Sequence, residues 1–290
     1  MKLQLAFYLL ILFVLRYFAY FFICQLEESK HVYTEEKYVP MDGNPRYSNP
    51  TRNCQSNQSF VDFGSGSLTC EQRTRVEQCI QTYQEEYIRA LKEEIADRDI
   101  RYTSHSYLDR NSFMIEAGGH RGNDTYEFNS RYHPGFYIVL EPVPVFYDIL
   151  VKKFQQSPNI AVYNFGIDVK DGNFNISESS DNAVSIFMTD NQKGRRIQIV
   201  NTTRFFEKLS VRSREVDLIT LNCEGCEYAV LDLLLSTDYI RHFRNIQFQS
   251  HRIPGICYPV RRFCWYQELL GKTHKLIFQF KFVWESWARI

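Results

Sequence analysis

The sequence predicts an α/β fold of the Rossmann-like type, in which a mostly parallel sheet carries helices on both faces. From residue 112 onward, short apolar runs alternate with stretches of helical periodicity. A glycine-containing turn directly follows the first apolar run, 113–117. Strands that alternate with helices form parallel sheets, because the connecting helices cover both faces.

The composition is that of a globular protein and excludes several classes. The 290 residues contain 34 Lys and Arg against 34 Asp and Glu, so the formal net charge is zero. A protein held to nucleic acid by bulk charge would show a basic excess, and we therefore expect no nucleic-acid partner. Hydrophobic residues make up 44% of the chain, enough for a substantial core and too many for a disordered chain.

The N-terminal segment 3–24 is apolar except for Gln4 and Arg16. As a helix it would be about 33 Å long, against about 30 Å of hydrocarbon in a bilayer. We predict a signal anchor over 1–26, with a cleaved signal peptide as the alternative. Lys2 precedes the segment and two acids follow it, which predicts a single-pass membrane protein of the secretory pathway with a lumenal body.

Sequons and cysteines are consistent with that lumenal prediction. Cys54, Cys70 and Cys79 cluster early in the chain, and Cys257 and Cys264 lie close together late in it. Such cysteines could be bridged in an oxidising compartment, although sequence alone does not give their connectivity. The sequons begin at Asn57, Asn123, Asn175 and Asn201.

The polar segment 27–68 is interpreted as a stem, and 69–290 as the main domain. The domain opens with a helix predicted over 70–99, because apolar residues recur there at spacings of three and four. We predict further helices at 122–132, 143–155, 228–235 and 260–270. We predict strands at 113–117, 136–140, 160–165, 184–187, 196–200, 216–221, 246–248, 276–280 and 282–284. Parallel sheets bind ligands beyond the carboxyl ends of their strands, so the loops after strands should carry the site.

The first such loop reads E-A-G-G-H-R-G from Glu116 to Gly122 and opens a helix. Glycines allow a tight turn and a close approach of the backbone to a ligand, and a helix N-terminus adds free N–H groups. Glu116 precedes the glycines, and its carboxylate could bind an ammonium group of the ligand there. A simple strand-to-helix turn is the alternative.

The second loop is L-E-P, in which Glu141 lies 25 residues after Glu116. An acid at about this distance from the glycines can accept from both hydroxyls of a ribose. The two loops together predict a nucleoside-containing cofactor. The GGxxG spacing and the acid before it favour S-adenosylmethionine over a dinucleotide, and an NAD-dependent oxidoreductase is the weaker alternative.

The third element is L-N-C-E-G-C-E at 221–227. With EAGGHRG and LEP in the same order, the chain resembles the FkbM-type methyltransferases over about residues 112–290. The resemblance implies a class I methyltransferase fold with a seven-stranded sheet, S-adenosylmethionine as cofactor, and O-methylation of a hydroxyl on a small molecule or a glycan. Carried over, it assigns cofactor binding to Glu116, Gly118, Gly119, Gly122, Glu141, Gly166 and Asp168. It places Asn222 and Glu224 at the transfer site.

Two departures from the family pattern bear on activity. Asn222 stands where the family has Asp, and Gln249 stands where a Glu is expected. A sugar hydroxyl needs a base or a metal to weaken its proton, and amides supply neither. Glu224, Glu227 and His251 remain as candidate bases, and we assign no metal ligands. A cofactor-binding pseudoenzyme of the same fold is therefore the alternative function.

The pair Cys223 and Cys226 allows three interpretations. We favour the interpretation that they are buried small side chains beside a turn. A redox pair would need a thioredoxin-like context, which the sequence does not show. A zinc site shared with Cys257 and Cys264 has enough thiolates but an unfamiliar spacing.

Overall fold

The computed structural model describes residues 68–177, 194–253 and 256–290. The predicted signal anchor, almost all of the stem and the predicted strand 184–187 lie outside these ranges. The longest described helix, Tyr83–Ala96, has 14 residues, whereas about 20 apolar residues are needed to cross a bilayer. No described helix is long and apolar enough to do so. The predicted single-pass membrane localisation is corrected by this finding.

Seven strands within the described residues form one sheet in the order β3-β2-β1-β7-β8-β10-β9. Pairing is parallel from β3 to β8, and β10 is antiparallel to both of its neighbours. This confirms the predicted mostly parallel sheet. The strands are β1 Phe113–Ala117, β2 Phe136–Leu140, β3 Ile160–Tyr163, β7 Val216–Leu221, β8 Phe243–Gln249, β9 His274–Phe280 and β10 Trp284–Arg289.

Helices of 4 to 14 residues precede the sheet and connect its strands. Several begin where the sequence supplies a start signal, such as Thr69, whose side chain caps the first helix, or Pro144 in the first turn of α5. The helices are α1 Cys70–Gln81, α2 Tyr83–Ala96, α3 Ile100–Thr103, α4 Asn123–Tyr132, α5 Pro144–Phe154, α6 Thr202–Lys208, α7 Cys226–Ser236 and α8 Pro259–Leu270.

The chain reverses direction across the sheet between β1 and β7. It runs outward from β1 through β2 to β3, and returns to pair β7 on the other side of β1. Strand order therefore changes direction at the β1–β7 junction, where a crevice opens beyond the carboxyl ends. All five residues of β1 are buried, so the strands beside the crevice are anchored in the core.

A second sheet of three strands, in the order β4-β6-β5, lies on the connection between β3 and β7. The predicted strand 160–165 ends two residues early, at Tyr163, and a separate strand, β4, begins at Gly166 after a bend at Asn164. Asn164 donates its side-chain amide to two backbone carbonyls of the β2–α5 loop, contacts that sequence periodicity does not encode. The strands are β4 Gly166–Asp168, β5 Gly172–Ser177 and β6 Gly194–Asn201.

The N-terminal helical region differs from the single helix predicted over 70–99. It divides into α1 and α2 at Thr82, whose hydroxyl bonds back to the Cys79 carbonyl. Cys79 in α1 forms a disulfide with Cys264 in α8, 185 residues away. The exposed pair Arg75–Glu268 joins the same two helices, with nitrogen and oxygen 2.7 Å apart.

The final strand also differs from the prediction of 282–284. It begins at Trp284, after a tight turn in which Phe282 has φ 66°. The strand carries the buried carboxyl of Glu285, which accepts from Gln267, Gln279 and Trp287. A search for apolar runs does not find this strand, because Glu285 and Trp287 within it take part in a network of polar hydrogen bonds.

We expect the Cys79–Cys264 disulfide to contribute about 2–4 kcal/mol to the free energy of unfolding, because it closes a long loop in the unfolded chain. The double variant C79A/C264A should lose that amount in urea or guanidinium unfolding followed by circular dichroism. Arg75→Ala, which breaks the exposed ion pair between the same helices, is the control and should have a much smaller effect. Equal unfolding midpoints for C79A/C264A and the wild type would contradict the expectation.

Candidate active site

A cavity of about 320 Å³ lies beyond the carboxyl ends of β1, β2, β7 and β8. The small sheet closes one side of it through β4 and β6. This volume falls at the lower end of the range for small-molecule sites. Of the predicted site residues, the cavity wall includes Gly118, Glu141, Gly166, Asp168, Asn222, Glu224 and His251, and also Gln249. Glu116, Gly119 and Gly122 are not part of the wall.

The glycine loop is pressed against the end of β7. Gly118 has φ 96°, and a Cβ there would lie 1.8 Å from the carbonyl oxygen of Asn222. The N–H groups of Gly118 and Gly119 both donate to the carbonyl of Leu140, at 2.9 and 3.1 Å. The loop therefore fits between β2 and β7 only because this position has no side chain.

Glu116 lies beneath the glycine loop and is 2% exposed. One oxygen, Oε2, accepts from Thr125 at 2.8 Å and from the hydroxyl of Tyr137. The other, Oε1, has no hydrogen-bond partner among the described residues. Burial, reinforced by the charge of Asp124, raises the pKa of Glu116 to about 8. Its contact with an ammonium group stays a prediction.

Glu141 lies on the cavity wall, where it bonds the backbone on both sides. Its Oε2 accepts from the N–H of His120 at 2.7 Å, and its Oε1 from the N–H of Val143 at 2.8 Å. Burial raises the pKa of Glu141 to about 7, against the effect of these two bonds. A carboxylate offers about four acceptor positions, so each oxygen retains one for a ligand.

Beside Glu141, the small sheet gives the cavity an apolar side. Ile197 and Ile199 of β6 pack with Val143 and Phe146 in one buried cluster. Asp168, at the end of β4, accepts from the N–H of Val169 at 2.6 Å. Burial raises the pKa of the Asp168 carboxyl.

The opposite side of the cavity is formed by the turn between β7 and α7. Asn222 donates its backbone N–H to the Ala117 carbonyl at 2.9 Å, which joins this turn to β1. Glu224 and Gly225 follow in the left-handed region, with φ 53° and φ 118°. Cys223 and Cys226 lie beside this turn, as the favoured interpretation has it, and a disulfide between them closes it.

The His251 imidazole lies between two carboxyl groups. Its Nδ1 is 3.0 Å from Glu227 Oε1, and its Nε2 is 3.4 Å from Glu224 Oε1. The same Glu227 oxygen accepts from the backbone N–H of His251, and its Oε2 accepts from the N–H of Gly225. Glu227 is 1% exposed and fixes the ring.

The charges around His251 set its protonation. Burial lowers the pKa of His251, but the carboxylates of Glu227 and Glu224 outweigh burial and the net shift is upward. Burial raises the pKa of Glu224. Because Nδ1 faces Glu227, we infer that Nδ1 carries a proton and that Nε2 is the nitrogen available to exchange one.

Comparison with family models and with curated proteins finds no match. Comparison with solved structures finds neighbours that include methyltransferases. FkbM methyltransferase from Methylobacillus flagellatus KT has 8% identity and a TM-score of 0.44, covering 76% of this chain. This chain spans only 59% of the length of that protein.

Two further neighbours were solved with S-adenosylmethionine. Aeropyrum pernix fibrillarin with natively bound cofactor has 10% identity and a TM-score of 0.36, covering 66% of this chain and 76% of that one. M. jannaschii TYW2 has 12% identity and a TM-score of 0.33, covering 67% and 76%. At these values the similarities assign neither activity nor substrate to this chain.

We expect Glu227→Gln to lower the pKa of His251, because the substitution removes the charge bonded to Nδ1 and keeps the shape of the side chain. An NMR titration of the imidazole measures this directly. Glu224→Gln is the matched control and should have a smaller effect, because its oxygen is farther from the ring. An unchanged pKa in Glu227→Gln would contradict the assignment.

The raised pKa of His251 also makes the free energy of unfolding depend on pH. The pKa of His251 is higher in the folded chain than the unfolded value of about 6.5. Protonation of His251 therefore stabilises the fold fully below that value, and the contribution is lost as the pH rises through the folded pKa. The Glu227→Gln variant should show a shallower dependence over this window.

Proposed function

We propose that this chain is a class I S-adenosylmethionine-dependent methyltransferase that acts on a hydroxyl group. One observation carries the proposal: a single cavity places the buried carboxylate of Glu141 near the close-fitting turn at Gly118 and includes the imidazole of His251 on its wall. The first two features suit a nucleoside cofactor, and the third suits a proton transfer.

The residues present fit that cofactor. The acceptor positions left on Glu141 are suited to the two ribose hydroxyls. The apolar side formed by Val143, Phe146 and the two isoleucines of β6 suits a purine ring. Gly166 and Asp168, which the resemblance assigns to cofactor binding, border the same side. When bound, the cofactor supplies an electrophilic methyl group on a sulfonium.

Proton transfer from the acceptor hydroxyl is assigned to side chains that follow β7 and β8. A hydroxyl held beside His251 can give its proton to Nε2 as its oxygen becomes the nucleophile. Glu227 holds the ring through Nδ1 and stabilises the imidazolium that forms, because its carboxylate is buried against it. Glu224 lies near enough to Nε2 to accept that proton in turn.

Asn222 and Gln249 contribute amides where carboxylates are expected. An amide both donates and accepts, so these two side chains are suited to orienting a hydroxyl rather than deprotonating it. Positioning of the two reactants supplies much of the acceleration of an in-line displacement. A cofactor-binding pseudoenzyme of the same fold is the alternative function, and these two amides are the observation that favours it.

The acceptor is proposed only as a hydroxyl. A small molecule and a macromolecule both remain within the proposal.

Cofactor binding is tested by calorimetry on the full chain with S-adenosylmethionine. Removing a charged acceptor of two hydroxyls should weaken binding about 10- to 100-fold, so Glu141→Ala should show that loss. Asp148→Ala, at an exposed position on α5, is the control and should bind as the wild type does. Absence of measurable binding by the wild type would overturn the proposal.

Turnover is tested separately, by release of S-adenosylhomocysteine in the presence of a panel of hydroxyl compounds. We expect His251→Asn to lower kcat by about 10²- to 10⁴-fold, the usual contribution of a general base. Cofactor affinity should be unchanged in this variant. Binding without turnover on any acceptor would favour the pseudoenzyme.

A further inference from the structure

The cavity wall contains a disulfide that the proposed methyl transfer does not use. Cys223 and Cys226 are bridged, and both are part of the wall. Cys226 is the first residue of α7, an 11-residue helix that follows the buried strand β7. The bridge is therefore half-buried and reachable from the cavity.

The surroundings of the bridge favour its reduced form. The N-terminus of α7 carries a partial positive charge, which stabilises a thiolate at Cys226. On the other side, Cys223 Sγ is 3.6 Å from Glu227 Oε2. A disulfide sulfur has no proton to donate, so this is only a contact in the bridged form. A thiol at Cys223 could donate to that oxygen.

The bridge also holds a strained turn. Between the two cysteines, Glu224 and Gly225 both have positive φ, 53° and 118°. A residue with a side chain, such as Glu224, adopts this region only at a cost in backbone energy. The turn sets Glu224 Oε1 at 3.4 Å from His251 Nε2, and opening the bridge removes the covalent restraint on that placement.

A second disulfide, Cys79–Cys264, provides a contrast within the same molecule. Cys264 is 1% exposed and packs in the main core. Exchange requires that an attacking thiolate reach a sulfur. Cys79 is half-buried, as Cys223 and Cys226 are, but neither Cys79 nor Cys264 belongs to the cavity wall. Of these two bridges, a dithiol in the cavity therefore reaches only Cys223–Cys226.

We propose that Cys223–Cys226 is a redox-active disulfide that exchanges with dithiols entering the cavity, and that its reduction frees the turn carrying Glu224. The exchange stands apart from methyl transfer. The regulatory meaning of the freed turn rests on the proposed function, because Glu224 is one of the groups around His251.

The exchange takes place in two displacements. A thiolate of the dithiol attacks Cys223 Sγ, the bond between the two cysteine sulfurs breaks, and Cys226 leaves as a thiolate. The second thiol of the same dithiol then attacks the mixed disulfide, which releases Cys223 and the cyclic oxidised reagent. Two electrons pass to the protein, and the two thiol protons of the dithiol end on the two cysteines.

The exchange is tested on the full chain with graded dithiothreitol, followed by N-ethylmaleimide and peptide mass spectrometry. Cys223 and Cys226 should gain their two labels together, at reductant concentrations that leave Cys79 and Cys264 bridged and the circular dichroism folded. The early labelling should disappear in C223S/C226S and persist in C79A/C264A. The proposal would be overturned if Cys79 and Cys264 were labelled at the same reductant concentration as Cys223 and Cys226. It would also be overturned if Cys223 and Cys226 were labelled only on unfolding.

Release of the turn is tested by amide hydrogen exchange at 223–226. Reduction should speed exchange there and leave the 259–270 peptide of α8 unchanged. C223A/C226A should exchange like the reduced wild type without reductant. Equal exchange in both redox states would reject the effect on Glu224. Neither measurement uses S-adenosylmethionine, so failure of the proposed function would leave both readouts intact.

Discussion

The site depends on how closely the backbone at Gly118 passes the carbonyl of Asn222. A single methyl group at this position would overlap that oxygen. The close contact, with the hydrogen bond from Asn222 to Ala117, brings the end of β7 against the end of β1. A cavity bounded by both strand ends then follows, because the chain leaves the two strands in opposite directions across the sheet.

Three buried carboxyl groups surround this contact, and each is held differently. Glu116 lies under the loop on side-chain hydroxyls, Glu141 bonds two backbone N–H groups, and Glu227 bonds backbone and imidazole together. Burial raises the pKa of Glu116 and of Glu141. In a low-dielectric region a carboxyl needs such partners to remain ionised, so its neighbours decide its chemical role.

Glu227 connects the two chemistries of the cavity. One of its oxygens lies on His251 and the other beside Cys223, so the imidazole and the disulfide share a single carboxylate. One side chain thus contacts both the imidazole and the disulfide. The left-handed turn at Glu224 and Gly225 lies between the two bridged cysteines.

The sequence by itself determined the parallel sheet, the glycine loop and the position of Glu141, because continuous apolar runs and glycines act locally. It did not determine that Glu116 lies beneath the loop, that Glu227 holds His251 from 24 positions away, or that Cys79 pairs with Cys264. Those contacts join distant segments, and periodicity carries no information about them. The polar final strand was missed for the same reason, because hydrogen bonds from other elements to Glu285 fixed it. The break at Thr82 was missed because the apolar spacing continues across it.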